Sequence, residues 1–197
     1  GQPYFDGEVE PCINGAAPVV AAYFGQGGDA IAERLVASAR DDGGWNCDDD
    51  SAVSSFHSTI TAIEGLLAWE QAGGRSDEVS SARAKGEEYL LQRRLIRRRT
   101  TGELLDPRLA LISSSPRWFH DVLRGLEHFR LADRRDPRLA EAIELLRDKA
   151  DADGRWINEN THEGPTWFPD DPEGRPSRSI TLRALRVLLW WDAAARP

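Results

Sequence analysis

DGGWNCDDDSAVSSFHSTITAIEGLL, residues 42–67, is the stretch whose reading decides the fold. It opens on a glycine turn closed by Trp45, crosses an acidic loop, and ends in a run with helical rather than alternating apolar period. A second stretch follows the same plan: Asp153-Gly154-Arg155-Trp156, and later Ser179-Ile180-Thr181-Leu182-Arg183-Ala184-Leu185. A shorter echo links Ile63-Glu64-Gly65-Leu66 to Leu123-Arg124-Gly125-Leu126 sixty residues on, and to Leu182-Arg183-Ala184-Leu185 after a further fifty-nine. The parts make physical sense together. Glycine permits a close turn, tryptophan packs over the end of the following helix, and Ser and Thr cap that helix. A helix-pair unit recurring at this period predicts a stack or ring of helical hairpins.

Working outward, the same period predicts seven helices, at 13–25, 29–40, 56–72, 77–98, 119–132, 137–149 and 179–195, and no strand. Asp29, Asp77 and Asp136-Pro137 supply start signals, and the Gly-Gly pairs at 27–28 and 73–74 mark tight turns. The expected fold is all-α, in one domain. The 197 residues carry 25 Lys and Arg against 33 Asp and Glu, and a net charge of −8 argues against general nucleic-acid binding. Two cysteines, Cys12 and Cys47, exclude a disulfide-rich scaffold. No apolar run reaches the ~18 residues of a membrane span, and no secretory signal is legible, so the expected location is cytoplasmic. Methionine is absent even at position 1, which is expected of a processed chain or a fragment.

The two Gly-x-Trp loops with their Ser/Thr-rich helix starts resemble the repeat of squalene cyclases, and with it the terpene cyclase and protein prenyltransferase superfamily. The resemblance covers most of residues 9–195 and implies an α/α toroid, in which inner helices line a cavity and outer helices encircle them. Seven helices are too few for a full ring of that kind, so the resemblance implies a partial toroid, its C-terminal portion, with self-association or further helices on the N-terminal side. Cyclases of this type protonate an alkene with an Asp-x-Asp-Asp motif. The nearest string here, Cys47-Asp48-Asp49-Asp50, lacks the first Asp and lies in the Trp45 loop, so it reads as a solvated loop rather than an acid.

The prenyltransferases of the superfamily hold zinc with Asp-x-Cys before one inner helix and His at the start of the next. Val9-Glu10-Pro11-Cys12 and Phe56-His57-Ser58-Thr59 resemble those strings, which implies a zinc ion on Glu10, Cys12 and His57 with a fourth position open. Offsetting by one repeat places Cys12 level with Ser58. The alternative is plain: cysteine in a helical core is a small apolar residue, and a single histidine is a capping or core residue.

The resemblance also implies an anionic headgroup held by arginines. Arg93, Arg94, Arg97, Arg98 and Arg99 form the densest basic cluster, Arg117, Trp118 and His120 precede the next helix, and Arg178 and Arg183 occupy similar ground in the last repeat. Trp118, Phe119, Trp190 and Trp191 are candidate walls for an apolar chain. Against this, arginines at helix ends favour their own dipole and pair with Glu87, Glu88 and Glu103, and Trp190-Trp191 seal the last helix. His162 lies unassigned in the long 157–178 loop, read as a lid or a disordered connection. The resulting expectation is a protein handling an isoprenoid or isoprenoid diphosphate. The alternatives are a non-catalytic helical-repeat binding module and a polysaccharide-active toroid, though none of the three tyrosines has the context of a catalytic base.

Overall fold

The computed structural model describes residues 7–193. Among them are seven α-helices: α1 Pro11–Tyr23, α2 Asp29–Ala37, α3 Phe56–Gln71, α4 Asp77–Leu91, α5 Val122–Leu131, α6 Ala140–Asp148 and α7 Arg178–Ala193. Pairing of β type among the described residues is confined to the isolated bridges Trp45–Ser55, Arg97–Leu104 and Ile157–Pro176. The protein is all-α. No described helix is long and apolar enough to cross a membrane. The chain forms two compact units, 1–90 and 91–197.

In the first unit α1, α2 and α3 pack on one another. The α1–α3 crossing is set by two glycines. A Cβ on Gly15 would lie closer than 3.0 Å to the carbonyl of Thr61, and one on Gly65 equally close to the carbonyl of Gly15. The backbones therefore meet where no side chain separates them. α4 presents Gly86 to the Trp45 ring and to Ile63 in the same manner. In the second unit α5, α6 and α7 pack together around Leu126, Phe129, Ile143, Leu146 and Val187, all fully buried.

The repeat is visible as a hydrogen-bonded clamp present once in each unit. Trp45 Nε1 donates to Leu35 O at 2.8 Å, its backbone N–H donates to Thr59 Oγ1 at 3.0 Å, and Ser55 N donates to its carbonyl at 2.7 Å. In the second unit Trp156 Nε1 donates to Leu146 O at 2.7 Å, its N–H to Thr181 Oγ1 at 3.1 Å, and Ser177 N to its carbonyl at 2.8 Å. The preceding turn matches as well: Gly43 N donates to Arg40 O and Gly154 N to Asp151 O, with Gly43 and Gly154 at φ 91° and 70°. Each clamp ties the end of the preceding helix, α2 or α6, to the tryptophan loop and the first turn of the next helix. It equates Thr59 with Thr181 and hence Ala62 with Ala184, both fully buried. The sequence echo equating Ile63 with Leu182 is thus three residues out of register with the clamp, which sets Ile63 against Leu185.

Several boundaries differ from expectation: α1 runs Pro11–Tyr23 rather than 13–25, α2 ends at Ala37 rather than 40, and α6 begins at Ala140 rather than 137. The helix predicted over 77–98 stops at Leu91, because Arg94 and Leu95 turn the chain through positive φ of 45° and 68° and send Leu95 and Ile96 into the core. The helix predicted from 119 starts at Val122, after the Asp121 side chain caps Arg124 N at 2.8 Å. The last two residues of the predicted 179–195 helix lie outside the described residues. Two helices carry exposed apolar stripes, Ile13, Val20 and Tyr23 on α1 and Leu182, Leu185 and Leu189 on α7.

Asp136 shows a start signal working as read. Its carboxylate accepts from Arg138 N at 2.9 Å ahead of the 3-10 turn Pro137–Leu139 that leads into α6. The Arg138 guanidinium, donating to both carboxylate oxygens, holds the Asp136 pKa down to about 2. A depressed carboxylate contributes stability above its ordinary pKa near 3.8 and loses it as pH falls through about 2. Asp136→Ala is therefore expected to cost about 1 kcal/mol at pH 7. In urea titrations the gap from the parent protein should close between pH 4 and pH 2. A gap independent of pH would assign the loss to packing instead.

Candidate functional site

The chemistry-bearing cluster of the first unit is built at the start of α1 and the loop before α3. Glu10 occupies the N-cap position of α1 in extended backbone, Pro11 opens the helix, and Cys12 follows in the first turn. A first-turn N–H has no partner within its own helix. Here the Cys12 N–H points at Cys47 Sγ, 3.4 Å away. The loop from Trp45 carries Cys47 back over α3, where Ser58 Oγ lies 3.2 Å from Cys47 N and donates to Cys47 Sγ at 3.3 Å. Cys12 and Ser58 thus reach the same sulfur. Cys12 Sγ lies 3.5 Å from Glu10 Oε2. The ligand atoms of Glu10, Cys12 and Cys47 all fall within 4.8 Å of one another. Both thiols are free and half-buried. Burial, then the neighbouring Cys47, then Glu10 push the Cys12 thiol up to about 12. Electron-rich donors converge here without a cation among them.

His57 stands outside that group. Its backbone N–H is taken by Ser55 Oγ, the cap of α3, and its carbonyl accepts from Thr61 Oγ1 at 2.9 Å. The ligand atoms that lie together are those of Glu10, Cys12 and Cys47, two thiols and a carboxylate, and the histidine that the resemblance implies is not among them. Cys47 is the residue that sequence reasoning missed. Its only signal is its place two residues after the clamp tryptophan, which aims the loop at the start of α3. Asp48, Asp49 and Asp50 are exposed, as expected of a solvated loop.

The arginines are placed one by one against protein groups of the second unit. Arg94 pairs with Glu141 at 3.3 Å, and Arg97 Nε donates to the other oxygen of that carboxylate at 2.5 Å. These bonds, Arg97's first, hold the Glu141 carboxyl below the usual range. Arg97 also donates to Gly102 O, while Arg93 is half-buried at the turn, its carbonyl accepting from Ile96 and Arg97. Arg98 and Arg99 reach Leu105 O and Gln92 Oε1. Arg117 donates to the carbonyls of Glu163 and Gly164 and lies 3.6 Å from Asp170. Arg183 bridges Glu127 and the carbonyl of Ser113. His120 is fully buried, its Nε2 2.7 Å from Leu95 O, whereas Trp118 is 60% exposed and meets Phe119 edge-on. Trp190 is held by Asp133 through its Nε1 and by Arg135 over its ring, and so seals the α5–α6 turn.

A buried polar network lies beneath this rim. Asp121 accepts from Ser113 N, and burial raises its pKa despite Arg183 and Arg124 nearby. Ser113 Oγ donates to Asn160 O at 2.8 Å and lies 3.2 Å from His162 Nε2; the imidazole rests on Phe119. Burial, then Arg117, lowers the His162 pKa, so its ring is neutral near pH 7. The 157–178 loop is tied down rather than loose: buried Asn158 binds Arg175, Asp171 and Ser114, and Ser177 Oγ donates to Asp171 Oδ2.

Grooves accompany these residues, among them one of about 510 Å³ along Glu70, Asp77, Ser80 and Arg83. Another of about 550 Å³ runs along Gly28, Asp29, Trp69, Gly74 and Ser76, at the opposite end of α3 from the thiols, and holds none of the expected site residues. A further groove, about 440 Å³, is lined by Arg155, Pro176, Arg178, Thr181, Leu182 and Leu185. No family model, curated protein or solved structure matches the chain.

Proposed function

We propose that the protein is a repeat-built helical segment of squalene cyclase and prenyltransferase type that handles an isoprenoid or isoprenoid diphosphate. The recurring clamp supports the scaffold, with α1 beside α3 and α5 beside α7 as adjacent inner helices of a partial toroid. The observation that carries the ligand class is the groove at the start of α7, with Arg155 and Arg178 at its head and Leu182 and Leu185 along its length. Arg178 opens the helix and is exposed, beside a first turn that Ser177 caps through Ile180 N and whose Ser179 hydroxyl reaches Asp171. A diphosphate meets Arg178, since Arg155 is already paired with Asp151 and Asp153, and its hydrocarbon lies on Leu182 and Leu185. The exposed stripes on α1 and α7 are, on this reading, faces that further hairpins or a second copy cover.

A second reading, a non-catalytic helical-repeat module, is favoured by one observation. Arg94, Arg97, Arg117 and Arg183 already satisfy protein acceptors and are not waiting for a ligand. Titration calorimetry with farnesyl diphosphate, farnesol and inorganic pyrophosphate separates the two. Farnesyl diphosphate is expected to bind best, with salt-dependent affinity, and Arg178→Ala should weaken it by about tenfold or more. Arg94→Ala, whose arginine is committed to Glu141, should weaken it less. Absence of heat with all three ligands would leave the binding-module reading.

A further inference from the structure

We propose that Glu10, Cys12 and Cys47 form the protein part of a zinc site, with Cys47 in the place that the family resemblance gives to His57. The inference stands on ligand geometry, and rests on the proposed function only for what the metal would serve.

Three features carry it. First, the ligand atoms are drawn from two separate elements and already lie within 4.8 Å of one another. Tetrahedral zinc with sulfur ligands at about 2.3 Å places the sulfurs about 3.8 Å apart, so the three groups need only a small contraction. Second, the surrounding donors are in place. The Cys12 N–H and the Ser58 hydroxyl both point at Cys47 Sγ, the arrangement by which neighbouring groups orient and stabilise a metal-bound thiolate. Third, the donors are soft: two thiols with one carboxylate select zinc over calcium or magnesium, which take oxygen ligands. With three protein ligands the fourth position stays open to water or an added thiol, as in catalytic rather than structural zinc sites.

Binding releases the thiol protons to solvent as both sulfurs become thiolates, and no oxidant or reductant takes part. An internal disulfide between the same cysteines would exclude the ion, so the protein is kept reduced with a phosphine throughout.

The test measures metal content of the reduced full chain after dialysis against excess zinc, together with the near-ultraviolet thiolate absorption of its cobalt form. No isoprenoid is present, so the result is independent of the ligand titrations above. The expected result is one zinc per chain for the parent and for His57→Ala, and loss of stoichiometric zinc in Cys12→Ser and Cys47→Ser. In Cys12→Ser and Cys47→Ser the cobalt thiolate band should be lost together with the metal. Far-ultraviolet circular dichroism and a second variant, Cys47→Ala, guard against reading misfolding as metal loss. Stoichiometric zinc in folded Cys47→Ser with loss in His57→Ala would return the site to histidine and overturn the proposal. So would a folded, reduced parent protein that takes up neither metal.

Discussion

Trp45→Ala and Trp156→Ala should each destabilise its own unit by about 3–5 kcal/mol, the range for emptying a large buried aromatic site. Both rings are nearly or fully buried, and the Trp45 ring fills the space left by Gly86, which has no side chain to move inward in its place. Trp→Phe at the two positions divides the loss. It keeps most of the volume but removes the indole N–H, leaving Leu35 O with the Ser38 hydroxyl alone and taking the indole donor from Leu146 O, for about 1–3 kcal/mol. With two units in one chain, a single melting temperature is a poor reading. Hydrogen exchange of peptides from α2–α3 and from α6–α7 should instead report each loss separately. The clamp makes the sharper claim that the paired substitutions match: Trp45→Phe should behave as Trp156→Phe, and Thr59→Val as Thr181→Val. A large effect in one unit with none in the other would mean that the two loops share a shape without sharing an energetic role.

The clamp also marks what sequence could carry. Its residues are local: a glycine for the turn, a tryptophan to cover a helix end, a serine and a threonine at the next helix start. Such types at such spacings are legible without coordinates, and the seven helices followed from the same kind of local period. What failed depended on distant contacts. Nothing in Arg93-Arg94-Leu95-Ile96-Arg97 announces the end of α4, since arginine and leucine are strong helix formers. The helix breaks there because the core takes Leu95 and Ile96, and because Glu141, far along the chain, holds Arg94 and Arg97. For the same reason the sequence offers the arginine cluster the nearby Glu87, Glu88 and Glu103 as partners and not Glu141. At the thiol cluster, Glu10 and Cys12 are two residues apart and stood out. Cys47 lies 35 residues from Cys12 and is delivered by the path of the Trp45 loop, which no spacing rule encodes.

The glycine crossing of the first unit joins stability to that cluster. Gly15→Ala is expected to cost about 2–3 kcal/mol, at the upper end for overpacking. The added carbon meets the carbonyl of Thr61 and the N–H side of Ala62, which are backbone and cannot swing aside as a side chain would. Gly65→Ala should behave alike, because its carbon meets the carbonyl of Gly15 on the facing helix. Gly27→Ala is the control, with nothing within 4 Å of the new carbon and an exposed position, and its effect should stay within about 0.5 kcal/mol. The crossing relieves the clash by moving α1 away from α3. Cys12 lies three residues before Gly15 on the same face of α1, and Ser58 lies three before Thr61 on α3. Parting the helices therefore draws Cys12 from the sulfur of Cys47, which Ser58 holds to α3. Gly15→Ala should lower exchange protection in α1 and α3 and weaken zinc uptake together, although it touches no ligand. If protection falls while zinc affinity stays at the parent value, the spacing of the thiols is set by the loops alone, and the crossing serves packing only.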